Sequence, residues 1–232
     1  MINDSKSGYV VAGADTYVSL FNLFFLPKHS GQLYIKEENL SHFMHENINR
    51  FLYSFGTPLD YKKKQLHAKH QERFINSVDK CVEQPYMDET IIYWDSGGFQ
   101  VSMGAIETSQ MIPFLDLYID SMLKYPDKYS YAFCMDLPPG PGSKDIFASY
   151  KEVEDLNRVS YNKFAQLPQQ IKDKTIYVHH FRTPSLYKIW NKFLFDEKLA
   201  KGFNYFATGG IVANSATDTK IPIILYTLPL SS

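Results

Sequence analysis

Short runs of apolar residues alternate along this chain with longer amphipathic segments, and several runs end at a glycine or a polar residue. The central run is Ile91–Trp94, whose β-branched and aromatic residues are typical of a buried strand. Asp95 follows it directly, and Gly97 and Gly98 then allow a tight turn in which backbone amides approach a ligand. The pattern therefore predicts a buried strand that ends at a polar, glycine-rich turn.

The same alternation predicts further elements on both sides of this run. Strands are predicted at Gly8–Ala12, Phe51–Phe55, Tyr131–Met135, Thr175–Val178, Asn204–Thr208 and Ile223–Leu228. Helices are predicted at Asn39–Asn49, Tyr61–Val82, Thr108–Lys124, Lys144–Gln166 and Ser185–Leu199. Gln32–Ile35 is either a short strand or a hairpin arm, and Thr108 is placed to cap its helix.

Strands that alternate with helices, without hairpin turns, predict right-handed βαβ units and a parallel sheet. Polar or glycine residues end four successive predicted strands: Asp95, Asp136, His179-His180 and Gly209-Gly210. In a (β/α) barrel, these ends share one rim, where active sites are built. We therefore predict an α/β fold of the TIM-type (β/α)8 kind, as one domain over residues 1–232, with Ile91–Trp94 as its third strand.

The seven predicted strands leave this barrel incomplete, because its closure needs an eighth strand. Residues 213–232 are therefore expected to be a divergent or truncated end. The alternative is that a second chain completes the fold, since an open sheet edge is prone to pair with another chain.

Composition narrows the class of protein. Hydrophobic residues make up 44% of the chain and charged residues 21%, which is typical of a globular protein. The net charge of -1 argues against a protein that coats nucleic acid along its whole surface. The 17 Tyr and 17 Phe are more typical of an aromatic core than of a base-stacking surface.

The two cysteines, Cys81 and Cys134, lie far apart and form no zinc-binding pair, so we expect reduced thiols, a cytoplasmic location and no metal. Residues 1–11 lack the apolar core of a signal peptide, and no segment has the length and apolarity of a membrane span. No cofactor motif is present in the sequence.

Basic residues cluster at the start of the helix predicted at Tyr61–Val82. They include Lys62, Lys63, Lys64 and Lys69. Such a cluster is either a solvated helix face or a patch that contacts phosphate groups of nucleic acid without reading the sequence.

Three motifs, in this order, resemble the tRNA-guanine transglycosylase (queuine tRNA-ribosyltransferase) family. The first is DSGGFQ at Asp95–Gln100, the second is CMDLPP at Cys134–Pro139, and the third is ATGGIV at Ala207–Val212. The resemblance spans roughly Ile91 to Ile211, about half of the chain. The family's nucleophilic aspartate after strand eight and its zinc module have no counterpart in this sequence.

The resemblance implies a role for each matching residue. Asp95 would be the acid/base carboxylate. Ser96 would hydrogen-bond near a guanine base, and Phe99 would stack on it. Asp136 would accept hydrogen bonds from the edge of the base. The amides of Gly209 and Gly210 donate to the base carbonyl. His179 or His180 stands where the family has a glutamine, which leaves the identity of the accepted base open. The implied substrate-binding residues are Ser96, Gly97, Gly98, Phe99, Gln100, Asp136, His179, His180, Gly209, Gly210 and Ile211.

The implied reaction replaces guanine in tRNA or DNA with a 7-deazaguanine through a carboxylate-assisted retaining mechanism. The target base would have to leave its stack to enter the site. The compact size and the missing zinc module favour the DNA-acting branch. Two alternatives remain: a binding subunit whose partner chain supplies the nucleophile, and an unrelated (β/α) enzyme that converged on D-S-G-G.

Overall fold

The computed structural model describes residues 11–12, 50–59, 65–82, 90–102, 104–137, 150–180 and 184–209. Within these residues the chain is an α/β protein built on a parallel sheet. Three of the predicted segments lie outside the described residues: Gln32–Ile35, Asn39–Asn49 and Ile223–Leu228.

In the described part of the chain the sheet has six strands, paired in parallel in the order of the sequence. The strands are β1 (Val11–Ala12), β2 (Arg50–Ser54), β3 (Ile91–Asp95), β4 (Tyr131–Phe133), β5 (Thr175–His180) and β6 (Tyr205–Gly209). The α-helices are α1 (His70–Val82), α2 (Gly98–Ser102), α3 (Met111–Lys124), α4 (Tyr150–Ala165), α5 (Gln169–Lys172) and α6 (Pro184–Asn191). The central run is the third of these described strands, the place that the sequence predicts for it.

One face of the sheet packs against the helices. Trp94 is fully buried, and its ring lies 4.9 Å from that of Phe74 in α1. Tyr177 lies on the same face by strand register, with its ring 4.7 Å from that of Tyr161 in α4. Right-handed connections between strands in sequence order place successive helices on one side, which accounts for this arrangement.

The opposite face of the sheet carries a row of aromatic side chains. Tyr93 stacks on Tyr131 with ring centroids 5.4 Å apart, and Tyr131 meets Tyr205 edge-on at 4.9 Å. Successive residues of a strand point to opposite faces, so this row follows from the register that puts Trp94 against the helices.

Helix α3 shows how the apolar pattern produces this packing. Its buried residues recur at helical spacing, and they are Met111, Phe114, Leu115, Tyr118, Ser121 and Met122. Phe55, which follows β2, lies 5.2 Å from both Phe114 and Tyr118 between ring centroids. The aromatic residues thus fill the core, as the composition indicates. Burial of each Phe-sized side chain contributes roughly 1.5–3 kcal/mol.

Two helices begin later than the sequence predicts. Helix α1 begins at His70, because the preceding residues form a turn in which the Lys69 N–H donates to His67 Nδ1 at 3.0 Å. Helix α3 begins at Met111, because residues 108–110 form a tighter 3₁₀ turn. The cap position is therefore Gln110, which makes no side-chain capping hydrogen bond, and the prediction that Thr108 caps the helix is wrong.

Strand boundaries also differ from the predicted ones. Strand β4 ends at Phe133 instead of Met135. The Cys134 N–H still bonds to the Ile176 carbonyl oxygen, but the backbone of Met135 and Leu137 bonds to side chains of α4. Strand β5 continues through His179 and His180, because these residues pair with β6. Helix α4 ends at Ala165, and α6 gives way after Asn191 to a π-helical turn at Lys192–Asp196.

Within the described residues, no helix combines the length and apolar character needed to cross a membrane. Cys134 is a buried free thiol at the end of β4, and burial raises its pKa well above the usual value. It is therefore a core residue that stays protonated at neutral pH.

A hydroxyl group of α3 joins the ends of two strands. Tyr118 Oη donates to the carbonyl oxygens of Trp94 at 3.2 Å and Phe133 at 3.0 Å. Burial raises the pKa of Tyr118 well above its usual value, so the hydroxyl remains a donor.

We expect Tyr118→Phe to lower the free energy of unfolding by about 1 kcal/mol, because both carbonyl oxygens lose this buried donor. Urea unfolding followed by circular dichroism measures the change. Tyr187→Phe, on the exposed part of α6, is the matched control and should leave stability unchanged. Equal stability of Tyr118→Phe and the parent would contradict the role of this hydroxyl.

Candidate active site at the carboxyl edge of the sheet

Strand register brings three polar side chains and one glycine to the same edge of the sheet. Ser54 is paired with Asp95, and His180 is paired with Gly209, at the carboxyl ends of their strands. By alternation these positions lie on the face opposite the helix-packed Trp94. This edge is where α/β proteins usually bind ligands.

Asp95 is held by groups of two strand ends. The Ser54 hydroxyl donates to Asp95 Oδ2 at 2.7 Å, and the Gly97 N–H donates to the same oxygen at 3.3 Å. Burial raises the pKa of Asp95, the negative charge of Asp136 raises it further, and the Ser54 hydrogen bond opposes these effects. The carboxyl group therefore keeps a proton to a higher pH than an ordinary aspartate and can serve as a general acid.

Asp136 follows β4 and is paired with a buried histidine. His180, only 2% exposed at the end of β5, is hydrogen-bonded through Nε2 to Asp136 Oδ2. Among the described residues His180 Nδ1 has no hydrogen-bond partner. His180 therefore holds the Asp136 carboxylate in the structure.

Glycines allow the strand ends to approach one another. Gly98 packs so closely that a Cβ there would lie 2.0 Å from the Asp136 carbonyl oxygen. A Cβ at Gly209 would lie 2.4 Å from His180 Nε2. Gly97 has a φ of +78°, and a Cβ there would lie 2.5 Å from the Gly56 nitrogen. A side chain at Gly98 or Gly209 would force apart the segments that carry Asp136 and His180, and one at Gly97 would displace the loop after β2.

The loop after β2 supports the Asp95 turn from the other side. The Phe55 N–H donates to the Asp95 carbonyl oxygen at 2.8 Å, and the Gly56 N–H donates to Ser54 Oγ at 3.2 Å. His70, fully buried at the start of α1, donates from Nε2 to the Phe55 carbonyl oxygen at 2.7 Å. Burial lowers the pKa of His70, so its ring is neutral near pH 7.

The remaining residues of the DSGGFQ motif form the turn into α2. Ser96 is buried, and its hydroxyl oxygen accepts the Gly98 N–H at 3.3 Å. Gln100 lies beside Gly56, and its Oε1 is buried without a hydrogen-bond partner in the described part of the chain. Phe99 lies in α2, but its side chain lies outside the described residues.

The structure separates the two adjacent histidines. His179 points toward α6, where its Nε2 donates to Asn191 Oδ1 at 3.1 Å, and burial lowers its pKa. The His180 ring also packs against α6, with its centroid 4.8 Å from that of Trp190, but its Nε2 bonds to Asp136. Of the two histidines, only His180 therefore makes a hydrogen bond to the cluster of Asp95 and Asp136.

Other predicted site residues fall outside this cluster. Gly210 and Ile211 lie outside the described residues, as do Lys62, Lys63 and Lys64 of the basic patch. Lys69 is exposed in the turn before α1. Within the described ranges, no group of three or more His, Cys, Asp or Glu residues is arranged to hold a metal ion.

Three residues in or beside the site were not predicted from the sequence: Ser54, Asn157 and Ser160. Ser54 had a detectable signal, since S-F-G follows an apolar strand much as D-S-G-G follows the central one. Asn157 and Ser160 lie in the charged helix α4, where only the fold shows that they contact the segment after β4.

Comparison of the chain with protein-family models, curated proteins and solved structures gives no match.

The raised pKa of Asp95 predicts that its ionised form destabilises the fold. A raised native pKa contributes stability below the unfolded pKa of about 3.9, and this contribution is lost as the pH rises through the native pKa. We therefore expect Asp95→Asn to become progressively more stable, relative to the parent, as the pH rises from about 4 to neutrality. Urea unfolding across this range measures the difference.

The exposed carboxylate variant Asp127→Asn controls for the loss of one negative charge. A stability difference between Asp95→Asn and the parent that does not grow with pH would contradict the prediction.

Proposed function

We propose that this chain is a base-exchange enzyme of the tRNA-guanine transglycosylase type, which replaces guanine in nucleic acid with a 7-deazaguanine. The observation that carries the proposal is the presence of two carboxyl groups with different hydrogen-bond partners, one at the end of β3 and one in the segment after β4. Asp95 has a raised pKa, partly because of the Asp136 charge, while Asp136 is hydrogen-bonded to His180. Environments that make two carboxyl groups unlike are typical of acid/base sites.

Asp95 has the properties that the first half of such a reaction needs. When the bond between C1′ of the sugar and N9 of guanine breaks, negative charge develops on the base and positive charge on the sugar. A protonated Asp95 gives its proton to the departing base, while a carboxylate nucleophile bonds to C1′. In the second half, ionised Asp95 takes a proton from the incoming 7-deazaguanine, whose ring nitrogen displaces the nucleophile. We assign the nucleophile to none of the described residues.

Asp136 is suited to binding the base. Guanine presents a ring N–H and an amino group along one edge, and a carboxylate accepts from both. Because His180 occupies one side of Oδ2, the Asp136 carboxylate is already oriented before a ligand arrives. The amides of Gly209 and Gly210 are proposed to donate to the base carbonyl, and Ser96, Phe99 and Gln100 to complete the substrate site.

The sheet is consistent with a barrel of the TIM type, which we propose as the complete fold. Parallel strands in sequence order, with helices packed on one face, form the arc of such a barrel. The row Tyr93, Tyr131 and Tyr205 would then lie in the barrel interior, and Asp95 and His180 would lie at its mouth. The substrate polymer is proposed to be DNA or tRNA, with the target base extruded from its stack.

The proposal is tested by measuring release of labelled guanine from tRNA and from duplex DNA by liquid chromatography in the presence of a 7-deazaguanine. We expect Asp95→Asn to reduce release by roughly 10²–10⁴-fold, because a carboxamide cannot transfer the proton. Asp136→Ala should mainly weaken guanine binding, by roughly tenfold or more, because the base donors lose their acceptor. Asp127→Asn, exposed and away from the site, is the control.

The outcomes separate the alternatives. Release by the parent and Asp127→Asn but not by Asp95→Asn supports the proposal. Guanine binding by calorimetry without release would instead favour a binding subunit that needs a partner chain for its nucleophile. A folded parent that neither releases nor binds guanine would overturn the proposal and favour a different (β/α) enzyme.

A further inference from the structure

The segment that carries Asp136 is held by two buried polar side chains of α4. Ser160 Oγ donates to the Met135 carbonyl oxygen at 2.6 Å. Asn157 Oδ1 accepts the Leu137 N–H at 2.8 Å, and its Nδ2 donates to the Leu137 carbonyl oxygen at 2.9 Å. Both side chains are fully buried, and the two residues that they contact flank Asp136 in the sequence.

Asn157 substitutes for a strand partner. Strand β4 ends at Phe133, so the buried backbone of Leu137 lies beyond the strand ladder, and buried backbone groups need hydrogen-bond partners. The carboxamide of Asn157 pairs with both the N–H and the carbonyl of Leu137, as an adjacent peptide would. Its second amide hydrogen is directed to the Val153 carbonyl oxygen at 2.7 Å within α4. The orientation of Asn157 is thus fixed by its own helix.

Further contacts leave Asp136 little freedom. Its carbonyl oxygen lies against the backbone of Gly98, and its carboxylate is hydrogen-bonded to His180. Since α4 holds the residues on both sides, the backbone of Asp136 is constrained by α4 and by the turn after β3. The direction of the carboxylate then depends on this constraint as well as on His180.

We propose that Asn157 and Ser160 are positioning residues that hold the Asp136 carboxylate against His180. The consequence for guanine binding rests on the proposed function, whereas the orientation of Asp136 does not. Preorganisation of this kind lowers the free-energy cost of ordering an acceptor when a ligand binds.

The test uses the His180 ring as a reporter of Asp136, in protein labelled at histidine and observed by nuclear magnetic resonance. His180→Gln assigns the signal. Asn157→Ala and Ser160→Ala should both move the His180 ring signal, because the Asp136 carboxylate changes position. Ser121→Ala is the matched control, since Ser121 is also a fully buried serine bonded to a backbone carbonyl, in α3. It should leave the His180 signal unmoved.

The second readout is guanine affinity, measured by calorimetry. We expect Asn157→Ala to bind guanine about tenfold more weakly, a loss of about 1.4 kcal/mol of binding free energy. In the exchange assay the same variant should raise KM more than it lowers kcat.

An unmoved His180 signal in folded Ser160→Ala or folded Asn157→Ala would overturn the proposal. Failure of both variants to fold, with Ser121→Ala folded, would overturn it too, because their role would then be structural. A parent that binds no guanine rejects the proposed function, while the His180 signal still decides the positioning role.

Discussion

Close backbone contact between the turn after β3 and the segment after β4 determines the geometry at the carboxyl edge of the sheet. Gly98 lies so near the Asp136 carbonyl oxygen that a Cβ would come within 2.0 Å of it. Gly209 accommodates the His180 ring in a similar way. These contacts allow polar side chains from three neighbouring strands and their ends to lie close together. Neighbouring strands are about 4.8 Å apart, and a larger side chain at either glycine would push these polar groups apart.

The same closeness has an electrostatic consequence. Two carboxyl groups near each other, partly removed from water, cannot both be ionised without a free-energy cost. The two groups have different hydrogen-bond partners, because His180 is bonded to Asp136 while Asp95 accepts from Ser54 and the Gly97 amide. The raised pKa of Asp95 follows from burial and from the Asp136 charge. A buried ionisable group that destabilises the fold in its charged form is typical of functional sites.

Support for this edge comes from buried polar groups on the helices. Tyr118 joins the backbones of β3 and β4, His70 holds the loop after β2, and Asn157 completes the hydrogen bonds of Leu137. Each pairs a backbone group near a strand end. The helix-packed face of the sheet therefore does more than bury apolar surface, since it fixes the loops that carry Asp95 and Asp136.

Local sequence determined the strand Ile91–Asp95, the parallel alternation of strands and helices, and the position of Asp95 at a strand end, because apolar periodicity and glycine turns act over short distances. Only tertiary structure decided which of two adjacent histidines bonds to Asp136, because both lie in β5 and contact α6, and Asp136 comes from the segment after a different strand. It also decided the late start of α1 at His70 and the roles of Ser54, Asn157 and Ser160. Those roles depend on contacts between residues distant in sequence, such as Ser54 with Asp95, which no local pattern of hydrophobic and polar residues encodes.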